Sequence, residues 1–221
     1  DLVLQGQVVF NAGGHPGLRI GKSRLYNLTV NTAINGSAYE TDSIWLDHVE
    51  CSGNGNGTHV HFGGFTPGNE WNFIYWTDTN TQNDTFTISS NVDLARNCSG
   101  KNASYGPNNA RCVINCTWDN LSQANGSHPD WIVYNAIGAA NTVDNRIWYG
   151  NTATRCDAQG IFWAATGFWN NIAFVNNAME GNGSAPTWIG GGGCVSADHL
   201  LFWNFTHRGG GNVFFWNRPQ A

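Results

Sequence analysis

Charge is scarce in this sequence: 11% of its 221 residues are charged, and 10 Lys and Arg against 15 Asp and Glu leave a formal net charge of -5. A chain so poor in basic residues has no electrostatic footprint for DNA, RNA or an anionic membrane surface. Lys, Glu and Met are all uncommon, with a single Met, so several good helix formers are scarce and helix is a poor default. No apolar run reaches the roughly 18 residues of a membrane-spanning helix, so no membrane insertion is expected. No basic stretch followed by an apolar core and a cleavage site lies near Asp1, so a secreted product would have lost its signal peptide already. Chemical motifs are missing too. There is no nucleotide-binding glycine motif and no nucleophile elbow. The run Gly190-Gly191-Gly192-Gly193 lacks the Lys-Ser/Thr of a phosphate loop and reads as a tight corner. No Cys-x2-Cys pair occurs and the histidines are scattered, so neither a metal nor another cofactor is expected. His59 and His61 alternate with Val60 and Phe62 and share one side of a strand, where backbone partners are the simpler explanation.

What the chain does hold is apolar and turn-rich sequence. Its 41% hydrophobic content, 28 Gly and 11 Trp suit a sizeable core crossed by many turns, and residues 1–221 read as a single domain, part of a longer chain or of a stacked assembly. Asn-x-Ser/Thr sequons begin at Asn27, Asn35, Asn56, Asn83, Asn97, Asn102, Asn115, Asn120, Asn125, Asn182 and Asn204. Their abundance points to a glycosylated protein at the cell surface or outside the cell, although an Asn- and Thr-rich repeat produces sequons for architectural reasons as well. The cysteines are Cys51, Cys98, Cys112, Cys116, Cys156 and Cys194, an even number compatible with disulfides in that setting. Cys112 with Cys116 is disfavoured if both lie in one extended strand. Cys98 with Cys112 or with Cys116 would staple the Gly/Asn loop after Asn97 to the next strand.

A repeat organises the chain. Short apolar segments punctuated by Gly, Asn or Ser occur at 160–164, 171–176, 186–190, 199–204 and 212–217. They form two interleaved series that recur after about 25 to 28 residues, the length of one solenoid turn. An apolar-x-Asn signature marks one series: Phe202-x-Asn204, Phe174-x-Asn176, Tyr149-x-Asn151 and Val113-x-Asn115, with Leu25-x-Asn27 and Trp45-x-Asp47 similar upstream. Asn at successive corners satisfies the turning backbone and its neighbours above and below. The strands should pair in parallel, with Ile147, Tyr149, Ile172, Phe174, Leu200 and Phe202 inward and Trp148, Ala173 and Leu201 outward. Between about Asn80 and Asn109 the pattern loosens and reads as a long inserted loop with one short strand at 86–88. The fold expected is all-β: a right-handed parallel β-helix, or solenoid, with irregular coils.

The stretch His128-Pro129-Asp130-Trp131-Ile132-Val133-Tyr134, with the segments at 144–151 and 157–162, resembles the parallel β-helix repeats of the pectate-lyase-like superfamily. That resemblance covers most of the chain as architecture. It implies a polysaccharide lyase, hydrolase or epimerase, a tailspike or an adhesin, with substrates held along an outward face. The Asp-Asp and Gly-His-Gly segments of polygalacturonase-like hydrolases are absent, and the calcium-binding cluster of pectate lyases matches no particular positions.

Three functions follow from these readings. The first is an extracellular N-glycosylated structural or adhesive surface protein, with self-association or further chain segments at the solenoid ends. The second is a polysaccharide lyase or glycoside hydrolase, whose candidate residues are His128, Asp130 and Asp157 on one edge, with Arg146 or Arg155 opposing a uronate carboxylate. The third is a non-catalytic module that stacks sugars on Trp148, Trp203, Trp163 and Trp188.

Overall fold

The computed structural model describes residues 2–4, 8–10, 23–26, 28–30, 34–36, 44–48, 50–53, 60–62, 71–86, 93–107, 110–121, 131–134, 142–156, 160–163, 167–181, 187–190, 194–209 and 213–216. Among these residues the structure is entirely β. It is a parallel β-helix.

Sheet I has nine described strands in the order β1 (Leu2–Leu4), β4 (Leu28–Val30), β7 (Glu50–Gly53), β10 (Thr77–Phe86), β12 (Ser99–Tyr105), β14 (Thr117–Asp119), β17 (Thr152–Cys156), β20 (Ala178–Gly181) and β23 (Thr206–Arg208). Sheet II has eight: β3 (Ser23–Tyr26), β6 (Ile44–Asp47), β9 (Trp71–Ile74), β11 (Leu94–Arg96), β13 (Cys112–Ile114), β16 (Thr142–Tyr149), β19 (Gly167–Val175) and β22 (Cys194–Trp203). A third strand per coil comes in two separate groups. The first is β2 (Val8–Phe10), β5 (Ile34–Gly36) and β8 (Val60–Phe62); the second is β15 (Ile132–Tyr134), β18 (Gly160–Trp163), β21 (Thr187–Gly190) and β24 (Val213–Trp216). Every described pairing is parallel, as successive coils of one solenoid require. No helix among the described residues is long and apolar enough to cross a membrane.

The corner from sheet II into sheet I sets the register. It is a two-residue device. The first residue takes the left-handed conformation: His48, Tyr75, Asn97, Asn115, Gly150, Asn176 and Asn204 all have positive φ. Asn tolerates this region better than most side chains, and Gly does so freely. The second residue points into the lumen, and Trp76, Cys98, Cys116, Asn151 and Asn177 are buried there. In the later coils these inward residues form a ladder. The Cys116 amide donates to Asn151 Oδ1 (2.8 Å), and the Asn151 amide and Nδ2 donate to Asn177 Oδ1 (3.1 and 2.9 Å). Asn151 Nδ2 also reaches the Val113 carbonyl (3.0 Å), and Asn177 Nδ2 the Trp148 carbonyl (2.9 Å). Buried amides are tolerated only when satisfied in this way.

Two expectations are corrected by this corner. Trp148 is fully buried (0% exposed), whereas Ile147 (39%) and Tyr149 (43%) face out. The cause is a one-residue slip. Trp148 pairs with Phe174, and Phe174 with Phe202, so Gly150 occupies the left-handed position and Asn151 is the inward residue after it. Tyr149-x-Asn151 is thus out of phase with Phe174-x-Asn176. Trp45-x-Asp47 slips likewise, because Leu25 pairs with Leu46. Ile172 and Phe174 are buried and Leu201 is exposed, as the alternation requires. The second correction is the inserted loop, since residues 80–109 carry much of β10, all of β11 and all of β12. The irregularity that survives is small: Thr79 pairs with Lys101 and Asp84 with Ala103, so residues 80–83 face Asn102 alone.

The lumen is filled by aromatic rings from all three sides. Trp118 of β14, Trp131 just before β15 and Trp148 of β16 meet with centroids 5.8 to 6.3 Å apart. Phe174 stacks on Phe202 at 4.9 Å. Gly106 makes room for the turn below Trp131, because a Cβ there would lie 2.2 Å from the Trp131 carbonyl oxygen.

Asn151→Ala should lower unfolding free energy by about 1–3 kcal/mol, because it leaves the Cys116 amide buried without its acceptor. Urea denaturation measures this. A loss below about 0.5 kcal/mol would mean that the ladder contributes little.

Candidate ligand-binding face

After each corner, sheet I alternates outward and inward residues. Thr77, Ser99, Thr117, Thr152, Ala178 and Thr206 stand in register on successive strands and form an outward row, mostly of hydroxyls. The next residues, Gly100, Trp118, Ala153 and Met179, are buried. His207 shares that inward column, and burial pushes its imidazole below the ordinary pKa. A second outward column follows. Lys101, Asp119 and Thr154 pair in order, and Glu180 pairs with Arg208.

Arg155 takes a left-handed φ of 52° at the end of β17 and turns its guanidinium onto Asp119. Nε donates to Asp119 Oδ1 at 2.7 Å and Nη2 to Oδ2, while Thr154 Oγ1 adds a bond to Oδ1 (3.1 Å). Lys101 Nζ lies 3.6 Å from Oδ2. The Arg155 hydrogen bonds, helped by Thr154 and Lys101, hold the Asp119 carboxyl below the usual carboxylate range, and Asp119 in turn raises Arg155. Asp119 is therefore a fixed anion near neutral pH and a poor proton donor.

Glu180 and Arg208 behave differently. Both are exposed register partners on neighbouring strands, yet no ion pair joins them among the described residues. Between them and Thr152, Thr154 and Thr206 lies an open depression of about 290 Å³ over the small Ala178 and the backbone of Ala153 and Met179.

The residues expected from the sequence are described only in part. His128, Asp130 and Asp157 lie outside the described residues, as do His59, Asn56, Asn125 and Asn182. Arg146 is half-buried on β16, opposite Ile172 in sheet II, and does not share the face of Arg155. Trp203 is 66% exposed at the end of β22, as expected of an outward ring, whereas Trp148 is sealed in the core and unavailable to a sugar. Trp163 and Trp188 lie in β18 and β21, with side chains outside the described set. Asp119 and Glu180 were not among the residues that the sequence singled out. Their signal was nevertheless present: the second and fourth residues after each corner point outward, as in Asn115-Cys116-Thr117-Trp118-Asp119 and Asn204-Phe205-Thr206-His207-Arg208.

The same phase accounts for many sequons. Asn97-Cys98-Ser99, Asn115-Cys116-Thr117 and Asn204-Phe205-Thr206 are each a left-handed corner, an inward residue and an outward hydroxyl. Asn102 and Asn120 are left-handed residues at the far end of sheet I, where Asn120 Nδ2 donates to Asn102 Oδ1 (2.8 Å). Asn27 lies outside the described residues, and Asn35 and Asn83 sit in β5 and β10. Cys98, Cys112, Cys116 and Cys156 are in the thiol form, and burial pushes Cys156 up to about 12. Cys51 and Cys194 lie in β7 and β22, their side chains not described.

No family model matches this chain, and comparison with curated proteins and with solved structures gives no match either. The likeness to pectate-lyase-like proteins therefore extends to the β-helix architecture alone.

Because its folded pKa is depressed, Asp119 stabilises the protein above its unfolded pKa of about 3.9, and that contribution is lost as pH falls through the lower folded value. The pair is largely solvated, so Asp119→Asn should cost about 1 kcal/mol or less at pH 7 and less than that at acid pH, below the unfolded pKa. Urea midpoints at the two pH values test this, and an equal loss at both would show that the charge is not responsible.

Proposed function

We propose that this chain is an adhesive β-helix of an extracellular surface, and that it holds a polysaccharide along the outer face of sheet I. One observation carries the reading: Glu180 and Arg208 flank a shallow depression beside a row of threonines without pairing with each other. A sugar needs both kinds of partner. Its hydroxyls donate to a carboxylate and accept from a guanidinium, threonine hydroxyls serve in either sense, and the C–H face of the ring rests on small apolar surface. The coils repeat about every 4.8 Å, so an extended polymer crosses the same two outward columns at each step. Charge is sparse on this chain, which suits a ligand rich in hydroxyls more than a polyanion. Kinship with the pectate-lyase-like superfamily, N-glycosylation and self-association belong to the same proposal.

Binding to a panel of neutral and uronate-containing polysaccharides, measured by calorimetry, tests the reading. The double variant Glu180→Gln with Arg208→Ala should bind about 10-fold or more weakly, since hydrogen bonds to charged groups contribute about 1.5–3 kcal/mol, with an unchanged urea midpoint. Absence of binding by the native protein, or equal binding by the variant, would overturn it.

Glycan occupancy gives a second check. Asn97 and Asn115 are in-register corners of successive coils, about 4.8 Å apart, closer than two glycan cores can approach. Asn102 and Asn120 stand in the same relation. Protein expressed in a glycosylating host should carry at most one glycan within each pair, as read by intact glycopeptide mass spectrometry.

A further inference from the structure

We propose that Cys98 and Cys116, both thiols in this structure, are joined under oxidising conditions by a disulfide that staples two successive coils on the lumen side of the corner. Three observations converge on this pair. Cys98 precedes Ser99 and Cys116 precedes Thr117, and Ser99 pairs with Thr117, so the two cysteines hold equivalent places one coil apart. Neighbouring strands put such Cα atoms about 4.8 Å apart, inside the range that a disulfide spans. Both side chains are buried toward the lumen, and Cys116 Sγ already lies over its neighbour, 3.3 Å from the Cys98 amide that donates to it.

The other described thiols do not compete. Cys112 pairs with Leu94 and Ile147, in the outward column of sheet II, while the adjacent Ala95, Val113 and Trp148 form the buried column. It is therefore on the far side of the wall from Cys98 and Cys116. Cys156 pairs with Gly181 at the opposite end of sheet I, a strand's length of roughly 16 Å from the corner.

The bond needs a disulfide oxidant such as oxidised glutathione. One cysteine thiolate, its proton given to solvent, attacks a glutathione sulfur and expels glutathione thiolate. The second thiolate then attacks the mixed disulfide and expels the other glutathione. Two protein thiols are oxidised and one glutathione disulfide is reduced. Burial holds the Cys116 thiol well above its ordinary pKa, so exchange in the closed fold is slow and the bond forms while the coils are still assembling.

The test is to refold the full chain in a glutathione redox buffer, alkylate remaining thiols, and digest without reduction. Mass spectrometry should find the Cys98 and Cys116 peptides joined and two hydrogens lighter than their sum. Cys112→Ser should leave the link intact, and reduction should lower the urea midpoint. Alkylated Cys98 and Cys116 after oxidative refolding, or Cys98 joined to any other cysteine, would overturn the proposal. If refolding is inefficient, the same digest on protein purified under oxidising conditions reads the same outcomes. Neither result depends on polysaccharide binding.

Discussion

The corner between sheets II and I is the constraint on which the rest of the structure depends. A parallel coil must turn sharply without leaving backbone amides buried and unpaired. Here one left-handed residue makes the turn and the residue behind it closes the hydrogen bonds from inside. The Thr117 amide, for example, reaches the Cys98 carbonyl, and the Thr152 amide the Cys116 carbonyl, both at 2.9 Å. Once that phase is fixed, the alternation of sheet I follows: hydroxyls and charges outward, Trp118, Ala153 and Met179 inward. The face proposed to bind a glycan and the inward thiols are both products of this one corner.

Coil length, by contrast, is loosely constrained. Corner residues one coil apart are separated by 18 residues from Cys98 to Cys116, by 35 from Cys116 to Asn151 and by 26 from Asn151 to Asn177. The short coil passes from β12 to β13 with no third strand among the described residues, and the long one accommodates Trp131. Sheets I and II absorb this variation with only local shifts of register, as between Ala153 and Cys156, since each strand needs only its neighbour's edge.

Much of the fold was legible because parallel coils leave a periodic trace, and Phe174-x-Asn176 and Phe202-x-Asn204 carry it faithfully. The errors came from Asn having two uses one residue apart. Asn176 is a left-handed corner residue and Asn177 an inward ladder residue, and composition cannot distinguish them. At Gly150-Asn151 the corner position passes to Gly, so matching on Asn shifts the strand by one and turns Trp148 outside in. The stretch 80–109 misled for a related reason: the residues described as buried there include the small Ala95, Cys98 and Gly100, so strands there resemble loop sequence. The charged column of sheet I was hidden because Lys101, Asp119, Glu180 and Arg208 are far apart along the chain and meet only through register.

The corner column limits what a single coil can change. A Cβ on Gly150 would lie 2.5 Å from Asn115 Oδ1 on the preceding coil, so a side chain acquired at one corner is felt at its neighbour.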